Sequence, residues 1–128
     1  MIKKIVSGGQ TGVDRAALDA ALQSSTPCGG WCPEGRVAED GILPDRYPLT
    51  ELNNAGYEER TRQNVMDSDG TVIIYFDHLF GGTEKTLFFC IGQQKPYLLI
   101  DASEITSSRA VSKISEFIRI KNIKTLNV

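Results

Sequence analysis

A short apolar run, Ile2 to Val6, meets Ser7-Gly8-Gly9-Gln10-Thr11-Gly12, and a small-residue stretch, Val13 to Leu22, follows at once. Strand, glycine-rich turn and helix in that order constrain what such a chain can become. Glycine lets the backbone approach a ligand, and the free amides at a helix start point at an anion. The turn therefore predicts an oxyanion site, a phosphate being the usual occupant, built from Gly8, Gly9, Gln10, Thr11 and Gly12. Thr11 is the expected N-cap, with Asp14 three residues later completing a capping box that sets where the helix begins. The run matches neither standard nucleotide fingerprint: it lacks the terminal Lys-Ser/Thr of a Walker A loop, and its glycines are not spaced G-x-G-x-x-G. A tight turn that binds nothing is the competing reading, so a second feature has to support the first.

Composition narrows the partners. The length of 128 residues is that of one domain, 1–128, with a single well-filled core. A formal charge of -2 gives no electrostatic reason to expect nucleic acid or an anionic membrane, so an anion must be held by local geometry. No run approaches the roughly 20 apolar residues of a membrane span, and glycines interrupt the N-terminal apolar run before a signal-peptide core could form. The expectation is a soluble, cytoplasmic protein with reduced thiols, since Cys28, Cys32 and Cys90 are odd in number. An extended Cys28–Cys32 segment would hold its two thiols ~13 Å apart, beyond disulfide reach. With His78 the only histidine and no C-x-x-C pair, no metal site is expected.

Along the chain, Ile2–Val6 reads as the first strand and Gly12–Gln23 as the first helix, with Val13, Ala17, Ala20 and Ala21 forming a narrow packing face. Cys28–Cys32 reads as a short second strand weakened by Gly29 and Gly30. Pro33 to Gly56 carries turn residues without a sustained period and reads as a long loop, anchored by Trp31, Ile42, Leu43, Tyr47 and Leu49. Tyr57–Ser68 is helix-compatible. Thr71–Phe76 is an almost continuous β-branched and aromatic run, as a strand covered on both faces requires. Thr83–Gln93 resumes helically, and Tyr97–Ile100 is the next buried strand. Ala110, Val111, Ile114, Phe117 and Ile118 share a helical stripe capped by Thr106, Ser107 or Ser108 and stopped near Asn122, and Lys124–Val128 forms a last strand.

Strands alternating with helices imply an α/β Rossmann-like three-layer sandwich with a mostly parallel five-stranded sheet. The expected order is 2-1-3-4-5, which reverses the connections between strands 1 and 3. Ligands in such sheets bind at the carboxyl ends of the strands at that reversal. The turns meeting there would be Ser7–Gly12 and Asp77–Thr83, the second of which contains Gly81-Gly82-Thr83 opening a helix: a second anion cradle across a cleft from the first.

These residues resemble a known family. Ser7 to Leu18, Gly29-Gly30-Trp31-Cys32-Pro33-Glu34-Gly35-Arg36, Arg60 to Val65 with Ser68-Asp69-Gly70-Thr71, and Gly81 to Thr86 are similar, in order, to the motifs of the putative molybdenum carrier family. The resemblance implies a Rossmann-like fold, in the superfamily that also holds the lonely-guy phosphoribohydrolases. It further implies binding of molybdenum cofactor, a pterin bearing a phosphate (molybdopterin), and a homo-oligomer. Two departures carry expectations of their own. The family continues past the last strand with a Gly-Pro turn and a helix, whereas Val128 is the last residue here. The phosphoribohydrolases carry Gly-Gly-x-Gly-Thr-x-x-Glu, but Thr86 stands three residues after Thr83, so their hydrolytic chemistry is not expected.

Around this frame, Arg15, Arg36, Arg60 and Arg62 are candidate phosphate clamps, because the guanidinium fork matches phosphate geometry. Arg60 and Asn64 share a helix face at i, i+4. Trp31 is a candidate stacking partner for a pterin or purine. The cradle residues are Gly81, Gly82, Thr83 and Thr86. Hydrolysis of an N-glycosidic bond would need a carboxylate, for which Glu34, Asp40 and Glu84 are the candidates. Three readings follow: binding of a phosphorylated pterin or nucleotide, as a molybdenum cofactor carrier or store; a nucleoside 5′-monophosphate phosphoribohydrolase-like activity; or a protein-interaction module, which predicts no melting shift with any phosphate ligand.

Overall fold

The apolar runs become strands wherever helices cover both of their faces. The computed structural model describes residues 1–128 and contains, in order, β1 (Lys4–Val6), α1 (Val13–Gln23), β2 (Cys28–Gly29), β3 (Trp31–Pro33), β4 (Val37–Ala38), β5 (Gly41–Ile42), β6 (Thr50–Leu52), α2 (Tyr57–Met66), β7 (Gly70–Tyr75), α3 (Gly81–Gly92), β8 (Tyr97–Asp101), α4 (Ser107–Ile120) and β9 (Thr125–Asn127). The main sheet is five-stranded and parallel, as expected for this fold class, in the order β2-β1-β9-β7-β8. On one face α4 packs Phe117 against Val72 and Leu126; on the other, Val65 of α2 and Cys90 of α3 pack against Ile73. Alternation along β7 and β9 thereby puts Thr71 and Asn127 on the α2/α3 side.

The order of strands departs from 2-1-3-4-5. The last strand lies between the first and third, pairing Val6 with Asn127 on one side and Asn127 with Thr71 on the other. Counted cyclically from β9, the order reads 3-2-1-4-5, the usual doubly wound arrangement. The chain is thus wound in the ordinary way but opened at a different connection, and the reversal falls between β9 and β7. Asp69 helps hold this arrangement, its carboxylate accepting from the amides of Lys124 (2.9 Å) and Thr125 (2.8 Å).

Two local expectations also change. The second strand divides at Gly30 (φ 137), where a Cβ would land on the Ser7 carbonyl oxygen, so Trp31–Pro33 leaves the main sheet and pairs with β6. The segment 33–56 is therefore structured, with a 3-10 turn at Glu34–Arg36 and the β4–β5 hairpin. Leu43, Tyr47 and Leu49 anchor it against Leu18, each buried aliphatic side chain worth roughly 1.5–3 kcal/mol, while Ile42 is exposed. Leu18 and Ala21, not Ala20, form the buried face of α1, and Val111 falls off the packed stripe of α4.

Candidate functional site

Both glycine turns emerge at the carboxyl ends of their strands and border one cleft of about 600 Å³. Its floor is Thr71–Ile74 of β7 and Asn127–Val128 at the end of β9, and its walls are α2, the start of α3 and the turn before α1. Of the residues expected from the sequence, Gly8, Gln10, Thr11, Arg60, Asn64, Gly81, Gly82, Thr83 and Thr86 line it. Gly9, Gly12, Arg15, Trp31 and Arg36 do not, and neither do Glu34, Asp40 and Glu84.

The first turn is largely consumed by its own packing. Arg60 lies across Gly8 so closely that a Cβ there would coincide with the guanidinium, and Leu49 fills the same space beside Gly9 (φ 77). Ser7 donates to the Asp14 carbonyl (2.8 Å), and the Asp14 carboxylate accepts from the Gln10 amide (3.2 Å). The expected Thr11 cap is not made. Gly12 (φ 85) stands at the helix start because the turn needs a left-handed residue there, and the Thr11 hydroxyl donates instead to Glu39 (3.0 Å). Gln10 is satisfied by Val37 and Glu39, which fastens the hairpin to the turn.

Several proposed ligand contacts serve the fold. Arg36 donates to the carbonyls of Leu43, Pro44, Tyr47 and Leu49, organising the 33–56 segment from within. Arg15 forms a two-pronged pair with Asp40 (2.6 and 2.9 Å), which holds the Asp40 carboxyl below its ordinary pKa, and donates to the Gly9 carbonyl. Trp31 donates its indole N–H to Asp67 (2.6 Å), and Asn64 bridges the Trp31 backbone at both its amide and its carbonyl. Asn64 thus borders the cleft with no hydrogen-bonding atom left over. Arg62 is exposed and lies outside the cleft.

The second turn is open. Nothing lies within 4 Å of a Cβ placed at Gly81 or Gly82, and the amides of Gly81, Gly82 and Thr83 make no hydrogen bond within the chain. Those amides, at the start of a 12-residue helix, present unbonded donors in the arrangement that suits an anion. Thr86 caps no ligand of its own accord: its hydroxyl donates to the Gly82 carbonyl (2.9 Å).

Between the two turns stands Arg60. Its Nη1 is 3.4 Å from the Asp14 carboxylate, a long contact, and its Nε is buried without any partner. Burial pushes the Asp14 carboxyl up, against the opposing pull of Arg60 and of the Gln10 amide. Sequence reading missed Asp14 and Glu39 as cleft carboxylates, the rim aromatics Tyr57 and Phe80, and Asn127. Tyr57 was within reach, since it precedes Arg60 by three residues and Asn64 by seven on one helical face. Asn127 was not, because its place depends on where β9 inserts.

The model of the family described as cpYpsA, circularly permutated YpsA SLOG family, matches residues 5–128. A solved structure of a protein named putative molybdenum carrier protein, from Syntrophus aciditrophicus SB, is 47% identical, with a TM-score of 0.96 over 98% of this chain and 80% of that one. No curated protein matches.

Proposed function

The chain belongs to the circularly permutated YpsA SLOG family, and we propose that its cleft binds a small ligand carrying a phosphate and an aromatic heterocycle: a pterin, as in molybdenum cofactor, or a nucleotide. The observation that carries this reading is the pairing, in one cleft, of an open amide cradle at Gly81–Thr83 with the Arg60 guanidinium, whose one side-chain hydrogen bond is the long contact to Asp14. The cradle and Arg60 supply donors for phosphate oxygens, and the exposed rings of Tyr57 and Phe80 at the rim supply apolar faces for the heterocycle. The name of the 47%-identical neighbour supports a molybdenum-related guest. No group of three His, Cys, Asp or Glu side chains converges in the chain, so in this reading the metal arrives on the pterin and the protein carries or stores the loaded cofactor.

Hydrolysis of nucleoside monophosphates is the less favoured reading. The expected carboxylates Glu34, Asp40 and Glu84 stand outside the cleft, Asp40 is held by Arg15, and the two carboxylates that do line it, Asp14 and Glu39, are engaged by Gln10 and Arg60 and by Thr11. The test is calorimetric titration of the full chain with ribose 5-phosphate, GMP and AMP, with nucleobase release followed in parallel. Saturable binding without turnover is expected, weakened tenfold or more by Arg60→Ala. No heat and no melting shift with any phosphorylated compound would overturn the binding reading. Native mass spectrometry of protein from its own source would identify the guest and register the homo-oligomer that the same reading includes.

A further inference from the structure

Six polar side chains are buried: Ser7, Gln10, Asn64, Ser68, Thr71 and Asn127. Five of them have each of their hydrogen-bonding atoms engaged within the chain: Ser7 on Asp14, Gln10 on Val37 and Glu39, Asn64 on Trp31, Ser68 on Asn64, and Thr71 by Asn127. Asn127 is the exception. It is only 5% exposed, and its Nδ2 donates to the Thr71 hydroxyl at 3.2 Å, while its Oδ1 has no donor anywhere in the chain. That oxygen is not sealed off, since the only fully buried unpartnered side-chain atom is Arg60 Nε, and Asn127 lines the cleft floor. A buried amide held at one end, with its carbonyl left facing a cavity, costs stability unless something donates to it.

The position strengthens the case. Asn127 is the final residue of β9, paired with Val6 and Thr71, and so stands at the carboxyl end of the strand where the sheet reverses its winding. Its neighbours across the cleft include Asp14 and Glu39, each with one carboxylate oxygen that accepts no hydrogen bond. The floor and this wall therefore offer acceptors, and the α3 turn and Arg60 offer donors. A guest that is acceptor-rich throughout, such as inorganic polyphosphate, satisfies only half of the cleft.

Resting on the reading that a phosphorylated heterocycle occupies this cleft, we propose that Asn127 is its specificity-determining residue: Oδ1 accepts a hydrogen bond from an exocyclic amino group on the ring, so that amino-substituted purines or pteridines are selected over their oxo counterparts. A site built around an acceptor rejects a ligand lacking the donor, because the acceptor is then left buried and unpaired.

The experiment is titration of the full chain with GMP, AMP and IMP, the last having no amino group, and with ribose 5-phosphate, for wild type, Asn127→Ala and Asn127→Asp. The expected result is that GMP or AMP binds about tenfold more tightly than IMP. Asn127→Ala erases that ratio, weakening GMP or AMP and relieving the penalty on IMP, and Asn127→Asp, which keeps an acceptor, retains it. Should Asn127→Ala fail to fold by its melting curve, the wild-type ratio and Asn127→Asp decide. If GMP, AMP and IMP bind equally to wild type, or if the ratio survives in Asn127→Ala, the role of Asn127 is overturned while the cleft's ligand class stands. If none of the four compounds binds wild type, the ligand class itself falls, and the selectivity with it.

Discussion

The two glycine turns of this protein carry the same sequence signal and serve opposite ends. At Gly8 and Gly9 of the first turn the missing side chains are replaced by other parts of the chain, Arg60 over Gly8 and Leu49 beside Gly9, while Gly12 has open space and serves by its positive φ; nearby, Gly30 lies against the Ser7 backbone. At Gly81–Gly82 the missing side chains leave open space, and three amides face it unbonded. Glycine in the first turn is a packing device, and in the second a clearance. A Gly-Gly pair after a strand thus says that something approaches closely, without saying whether it is the protein itself or a guest.

Substitutions can separate the two uses. The largest effect is expected for Gly30→Ala, which combines a left-handed backbone (φ 137) with a clash against the Ser7 carbonyl, backbone that cannot swing aside. A loss of at least about 3 kcal/mol in urea unfolding should follow. Gly8→Ala should come next: the clash is with the end of a flexible Arg60 side chain, so stability falls by about 1 kcal/mol while phosphate-ligand affinity falls about tenfold as Arg60 is displaced. A normal ligand affinity in Gly8→Ala would show that Arg60 does not need its seat. Gly82→Ala meets nothing within 4 Å and lies outside the left-handed region, so stability should stay within about 0.5 kcal/mol of wild type or rise, while ligand binding weakens. Equal damage to stability at Gly82 and Gly8 would break the contrast.

The smallest effect concerns pH. Burial raises the Asp14 pKa above 3.8 in the folded protein, so the folded state holds this proton more tightly. The stability Asp14 contributes is full below about pH 4 and is lost as pH rises through the folded value. Asp14→Asn, which mimics the neutral form, should therefore compare more favourably with wild type in its urea midpoint at pH 7 than at pH 4. The reverse trend would mean that Arg60 outweighs burial.

What the sequence made legible follows from the range of the interactions involved. Thr71–Phe76 could be read as a covered strand and a cap placed among Thr106, Ser107 and Ser108 because periodicity and capping act over a few residues, and the structure has β7 at Gly70–Tyr75 and chooses Thr106, whose hydroxyl accepts from the Arg109 amide. The parallel sheet was readable from alternation alone. Its order was not, since the pairing of Asn127 with Val6 and Thr71 joins segments 121 and 56 residues apart and leaves no local mark. The arginines divide in the same way. A guanidinium that suits phosphate suits four carbonyls equally well, and only the folded position of Arg36 within its loop decides between them. Arg60 was read as a clamp and does reach the cleft, but its resting place on Gly8 belongs to a contact 52 residues long.

The central position of β9 has a consequence for how the molecule is made. During vectorial synthesis β2-β1 and β7-β8 emerge as two separate half-sheets with no edge in common, and nothing joins them until residues 125–127 leave the ribosome. The closing of that gap delivers Asn127 to the cleft floor in the same event, so nascent chains short of it lack both a continuous sheet and a complete pocket.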